Sequence, residues 1–125
     1  MAYENNTETF SIPAAADLST HQYKLVTVNS SGQVALANAT ALVCGVLQNK
    51  PTAAGQAATV AYGGVSKCLA AGVITAGARV TADANGLAIA AATAGDAVIG
   101  IALATAAAND IIPVLVNPYP FAALA

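Results

Sequence analysis

The sequence predicts an all-β fold, a compact sandwich or barrel of short strands. Three observations predict it. Turn residues recur at short intervals along the chain. The segments between them are brief and rich in Val, Ile, Leu and Thr. This alternation of strand and turn then repeats within the chain. Strands at such spacing suit a small sandwiched or closed sheet. Alanine favours helix intrinsically, but segments broken this often by Gly, Asn and Asp leave no room for a helix that stands alone.

Taken in order, residues 1–9 are polar, carry Glu4 and Glu8, and read as an N-terminal arm. The segment Ile12-Pro13-Ala14-Ala15-Ala16-Asp17-Leu18-Ser19 has room for one short helical turn. Strands are expected over 24–28, 43–47, 58–62, 65–69, 97–102 and 111–116. Between them lie Asn29-Ser30-Ser31-Gly32, Lys50-Pro51, Gly63-Gly64, Asp83-Ala84-Asn85-Gly86, Gly95-Asp96 and Asn109-Asp110. These are turn residues, because Gly accepts positive φ and Asx side chains bond their own backbone. Residues 103–108 suit either a helical turn or a loop. In 117–125, Pro118 and Pro120 exclude regular strand and favour an extended C-terminal arm carrying Tyr119 and Phe121. The β domain accordingly spans 10–116.

The repeat has residue-level content. Val26-Thr27-Val28-Asn29-Ser30-Ser31-Gly32 matches Val80-Thr81-Ala82-Asp83-Ala84-Asn85-Gly86, an offset of 54. Val43-Cys44-Gly45-Val46-Leu47 matches Val98-Ile99-Gly100-Ile101-Ala102 at 55, and Ala58-Thr59-Val60 matches Ile112-Pro113-Val114 at 54. Two halves, about 23–62 and 77–116, therefore form an internal two-fold repeat within one domain. A solenoid would need more copies. Glycine inside a strand marks a bulge or a close backbone approach, so Gly45 and Gly100 are structural glycines.

Composition narrows the function. Of 125 residues, 57 % are hydrophobic but only 8 % charged, which excludes a disordered chain. Four Lys+Arg against six Asp+Glu make no basic patch, so no nucleic-acid partner is expected. A surface-bound membrane helix would need a Lys/Arg-rich face, so no membrane partner is expected either. The polar, acidic start has no secretory leader pattern. So weakly charged a surface suits burial against other subunits, and a homo-oligomer is expected. Alanine, roughly a quarter of the chain, buries little area per residue and adds to that need.

Enzymatic chemistry finds few residues. Asp17, Ser19 and His21 crowd into five positions, whereas a working triad converges from separate elements. Asp83, Asp96 and Asp110 sit in turns and read as backbone caps. Asp83-Ala84-Asn85-Gly86 supplies too few oxygens for a calcium loop. Cys44, Cys68 and His21 are too few and too badly spaced for zinc. Phosphate-binding glycine loops are absent. Lys67 and Arg79 read as exposed or partner-facing. The two cysteines read as buried thiols, with a disulfide left open until geometry decides. No activity, cofactor or metal is expected.

An ordered series of segments resembles the tailed-phage capsid cement, or head decoration, proteins. It comprises Phe10-Ser11-Ile12-Pro13-Ala14-Ala15-Ala16-Asp17-Leu18-Ser19, Gly32-Gln33-Val34-Ala35-Leu36-Ala37, Gly45-Val46-Leu47-Gln48-Asn49-Lys50-Pro51 and Gly63-Gly64-Val65-Ser66-Lys67. It continues with Ile74-Thr75-Ala76-Gly77, Gly95-Asp96-Ala97-Val98-Ile99-Gly100-Ile101-Ala102 and Asn109-Asp110-Ile111-Ile112-Pro113-Val114-Leu115. The resemblance covers about 10–116, and the 117–125 extension departs from it. It implies a small β-barrel or tulip-like domain on the outer face of an icosahedral head. Such proteins bridge major capsid subunits, often as trimers at threefold and quasi-threefold positions, with no catalytic residues. The expected partner is then the major capsid protein, and the expected location the virion surface after assembly in the host cytoplasm. On the arms, read from the residues themselves, Tyr119 and Phe121 either close the bottom of the domain's own core or anchor in a neighbour's groove, and with Pro118, Pro120, Glu4 and Glu8 they are the candidate partner contacts. The alternative is an adhesive β module binding sugar or ice, although Thr52, Thr75, Thr93 and Thr105 keep no short period suited to ice.

Overall fold

The computed structural model describes residues 7–38, 43–91 and 98–116. Among them are nine strands and no helix. In chain order they are β1 (Thr7–Pro13), β2 (Leu25–Val28), β3 (Val34–Leu36), β4 (Gly45–Leu47), β5 (Ala57–Leu69), β6 (Arg79–Ala82), β7 (Ala88–Ala90), β8 (Gly100–Ala102) and β9 (Ile111–Val116). All paired strands are antiparallel, and the sheet curls into a barrel-like domain. The order is β3-β2-β4-β5-β9-β8-β6-β7, with β1 on β5.

That order reads the same from both ends once β2, β3, β4 and β5 are matched with β6, β7, β8 and β9. The registers match too. Val26 pairs with both Leu36 and Gly45, as Val80 pairs with both Ala90 and Gly100. The hairpin turns use one device twice. Asn29 Oδ1 accepts from the backbone of Ser31 and Gln33, and Asp83 Oδ1 accepts from Asn85 and Leu87. Each turn closes through a positive-φ glycine, Gly32 at 75° and Gly86 at 76°.

The correspondence also runs beyond 23–62 and 77–116. The pair Ser11↔Thr59 between β1 and β5 has its counterpart in Lys67↔Pro113 between β5 and β9. Phe10↔Val60 corresponds likewise to Ser66↔Val114. Ala14 bridges Val34 in parallel, as Ala70 bridges Ala88. Each half is thus five stretches of strand, and β5 serves twice. Its first part ends one half, and its second part begins the other.

Three expectations are corrected here. The 58–62 and 65–69 strands are one strand, and Gly63-Gly64 is not a turn between them. Gly64 pairs with Thr7 on one side and Val116 on the other, at positive φ, beside a register shift at Glu8/Thr9. Thr7–Thr9, read as arm, open β1. The helical turn over 12–19 is absent because distant strands take its backbone groups. Ala14 N donates to Gln56 O, Ala15 N to Val34 O, and Leu18 N to Pro51 O. Of the two readings of 103–108, the loop is the one found. Leu103 N donates to Pro113 O, and Ala106 exchanges bonds with Ile74.

Two clusters form the core. One gathers Ala14, Leu18, Val26, Val34, Leu47, Ala58 and Val60 inside the first half. The larger fills the second half and draws in Leu25, Val43 and Val46 from the first. Small side chains let the strands lie close. A Cβ on Gly45 would overlap the Ala61 carbonyl and meet Val60 Cγ1 at 2.7 Å. A Cβ on Gly100 would overlap the Leu115 carbonyl oxygen and meet its carbon at 2.9 Å.

Candidate functional site

The polar side chains serve the fold. Asp17 Oδ1 accepts from Ser19 N, and bonds from Ser19 hold its carboxyl below the usual carboxylate range. His21 Nδ1 lies 3.1 Å from Lys24 Nζ, and partial burial, with Lys24 beside it, lowers its pKa. Asp110 Oδ2 accepts from Ala107 N across its own turn. Cys44 and Cys68 are free thiols whose burial pushes them up to about 11 and about 12, so neither is a nucleophile near neutrality. Among the described residues no cluster of His, Cys, Asp and Glu is arranged for a metal.

The surface is more informative. Along β9 the side chains alternate: Ile112, Val114 and Val116 are buried, while Ile111, Pro113 and Leu115 face outward. Opposite them on β5 stand Leu69, Lys67 and Val65, in the pairs Leu69↔Ile111, Lys67↔Pro113 and Val65↔Leu115. Five of these six outward side chains are apolar. Ile111 is 53 % exposed and Leu115 40 %. Leu103, also exposed, lies beside Pro113 through its backbone bond.

The corresponding positions of the first half carry hydroxyls, alanines and Pro13, with no Val, Leu or Ile. There Thr9, Ser11 and Pro13 oppose Ala61, Thr59 and Ala57, and the Ser11 and Thr59 hydroxyls bond each other at 3.0 Å. The backbone duplicates; the outward chemistry does not.

Beside the apolar face runs a groove of roughly 380 Å³. Its walls include Tyr23, Val65, Lys67, Ile111 and Pro113. Tyr23 has a positive φ of 67°, a conformation that costs a non-glycine residue about 1–3 kcal/mol. Bonds from Tyr23 N to Leu47 O and from Leu69 N to Tyr23 O impose it. The result sets the Tyr23 ring 5.7 Å from Lys67 Nζ, over the end of β5. Gln48 braces the same wall, donating to Ser66 Oγ at 2.8 Å.

A model of one protein family, described as phage cement protein, matches residues 4–117. The chain belongs to that family. Its role is structural and associated with the phage capsid. Among curated proteins none matches it. Among solved structures the cement chain is similar to the head fiber gp8.5 N base of bacteriophage phi29. The TM-score is 0.67 at 16 % identity, over 96 % of this chain and 99 % of that one. At that identity the likeness establishes the fold.

Of the contact residues expected in this cement protein, Glu8 lies exposed on β1 opposite Gly63. Glu4, Pro118, Tyr119, Pro120 and Phe121 lie outside the described residues. The sequence reading missed the β5–β9 face. Its signal was present in Ile111-Ile112-Pro113-Val114-Leu115-Val116, which is apolar at every position. A strand with one wet face alternates, whereas a continuous apolar run marks a strand covered on both faces.

Proposed function

We propose that this protein binds the outer face of an icosahedral phage head and bridges neighbouring major capsid subunits, stabilising the shell. The observation that carries this reading is the cement-family match over 4–117. Three further features support it. The chain has only 8 % charged residues, which suits a surface largely covered by neighbours. The side chains of Asp17, Asn29, Asp83 and Asp110 are committed to closing turns. The sequence of 1–6 is polar and that of 117–125 is rich in proline and aromatics, and we assign both as contact segments through which one subunit holds two partners and gains avidity. A homotrimer at threefold and quasi-threefold positions is the arrangement proposed, assembled in the host cytoplasm and carried on the virion.

The test adds purified protein to expanded heads that lack cement. The reading expects saturable co-sedimentation with the heads and a higher temperature of DNA release or shell disruption. Heads that sediment without the protein overturn it.

A further inference from the structure

We infer that the apolar outer face of β5 and β9, with the Tyr23 groove beside it, receives the 117–125 segment of a second copy of this chain. The inference rests on the homo-oligomer proposed above and names the contact that makes it.

The first observation is the asymmetry between the halves. In the first half the strand equivalent to β9 is the front part of β5, which runs on as strand past Gly63. The paired positions of its outward face carry no Val, Leu or Ile. In the second half Val116 is followed in the sequence by a Pro/aromatic segment, and the outward face of β9 is apolar. Two copies of one unit share a backbone, so the difference reflects what each face meets.

The second observation is chemical fit. Asn117-Pro118-Tyr119-Pro120-Phe121 is uncharged, apolar and rich in proline. Such segments dock as extended chains in grooves walled by aromatic and apolar side chains. Tyr23, Ile111 and Pro113 offer those walls.

The third is reach, and it selects a second copy over the same chain. Asn117 and Tyr119 each precede a proline, which disfavours the α region a type I turn requires. A type II turn would need positive φ at Tyr119, which suits glycine. Beyond Val116, three residue steps carry Tyr119 at most about 11 Å and five carry Phe121 at most about 18 Å. Ile111 lies about 17 Å the other way along β9. Phe121 reaches Ile111 of its own chain only by reversing at once after Val116 and running back fully extended, which Pro118 and Pro120 disfavour; a neighbour's segment meets no such limit.

The test uses disulfide trapping in the full chain. Ile111→Cys and Phe121→Cys are made separately, with a mass tag on one, and co-expressed. Cys44 is half-buried and Cys68 buried, and burial raises the thiols to about 11 and about 12, which slows their oxidation at neutral pH. Mild oxidation, in solution and on heads, is expected to give a covalent heterodimer well above the yield of either variant alone. No heterodimer in either setting overturns the inference. So does the double variant closing only an intramolecular loop, seen as a faster-migrating monomer. Head binding is scored on the same samples. Variants that bind heads without cross-linking sink this inference and leave the cement reading standing. Cross-linked oligomers that ignore heads do the reverse.

Discussion

Gly100 lies directly against the Leu115 backbone, close enough that a Cβ would occupy the space of the Leu115 carbonyl. Gly45 stands in the same relation to Ala61, the residue that corresponds to Leu115 in the other half. The obstacle is backbone in both cases, so no side-chain rotation relieves it. Close packing of β4 on β5 and of β8 on β9 depends on these two positions.

Gly45→Val and Gly100→Val are therefore each expected to destabilise the domain by at least about 1–3 kcal/mol, the usual cost of overpacking. Thermal melting of the two variants checks this. Because the sites correspond, the two losses should be similar. Unchanged melting in both would show that the repeated glycines have no packing role.

Deleting residues 118–125 is expected to leave the β domain folded, since each of the nine described strands finds its hydrogen-bonded neighbour within residues 7–116. The truncated chain is expected to melt near the full chain and to bind heads more weakly. Ile111→Glu should mimic that loss from the other side of the contact. Ile111 is exposed, so the change costs little stability, within about 0.5 kcal/mol. Sedimentation velocity and head binding read both variants. Full-strength binding by the truncated chain would remove the tail as an anchor.

The thiols give a pH dependence. Burial raises Cys44 to about 11 and Cys68 to about 12, from an ordinary 9.0. Above pH 9 the unfolded chain loses these protons while the folded chain keeps them. Stability contributed by the neutral thiols is therefore complete below pH 9 and declines as pH rises toward 11 and 12. Urea melts at pH 8 and pH 10 should show this decline. A Cys44→Ala/Cys68→Ala variant, less stable at pH 8 from lost packing, should decline less between the two. An equal slope in both proteins would show that the thiols are not the cause.

Much of the fold was legible because turn chemistry is local. Asn29 and Asp83 announce their hairpins, and Gly45 and Gly100 announce their close approaches, within a few residues. What depended on distant partners was not legible. Ala14-Ala15-Ala16 reads as helix until Gln56 and Val34 claim its backbone groups. Gly63-Gly64 reads as a turn until Thr7 and Val116 pair with Gly64 from both sides and carry β5 through it. The outward face at Ile111, Pro113 and Leu115 was hidden for a related reason. An apolar run says that both faces are covered, and only the fold says which face the domain itself covers.

The central claim is that this protein ties capsid subunits together from outside. A cryo-EM reconstruction of expanded heads saturated with the protein tests it most directly. The account predicts density for the β domain on the outer surface, touching at least two major capsid subunits, with neighbouring copies joined across the β5–β9 face. Density seated on one capsid subunit alone, with no contact to a second and none between copies, would contradict it.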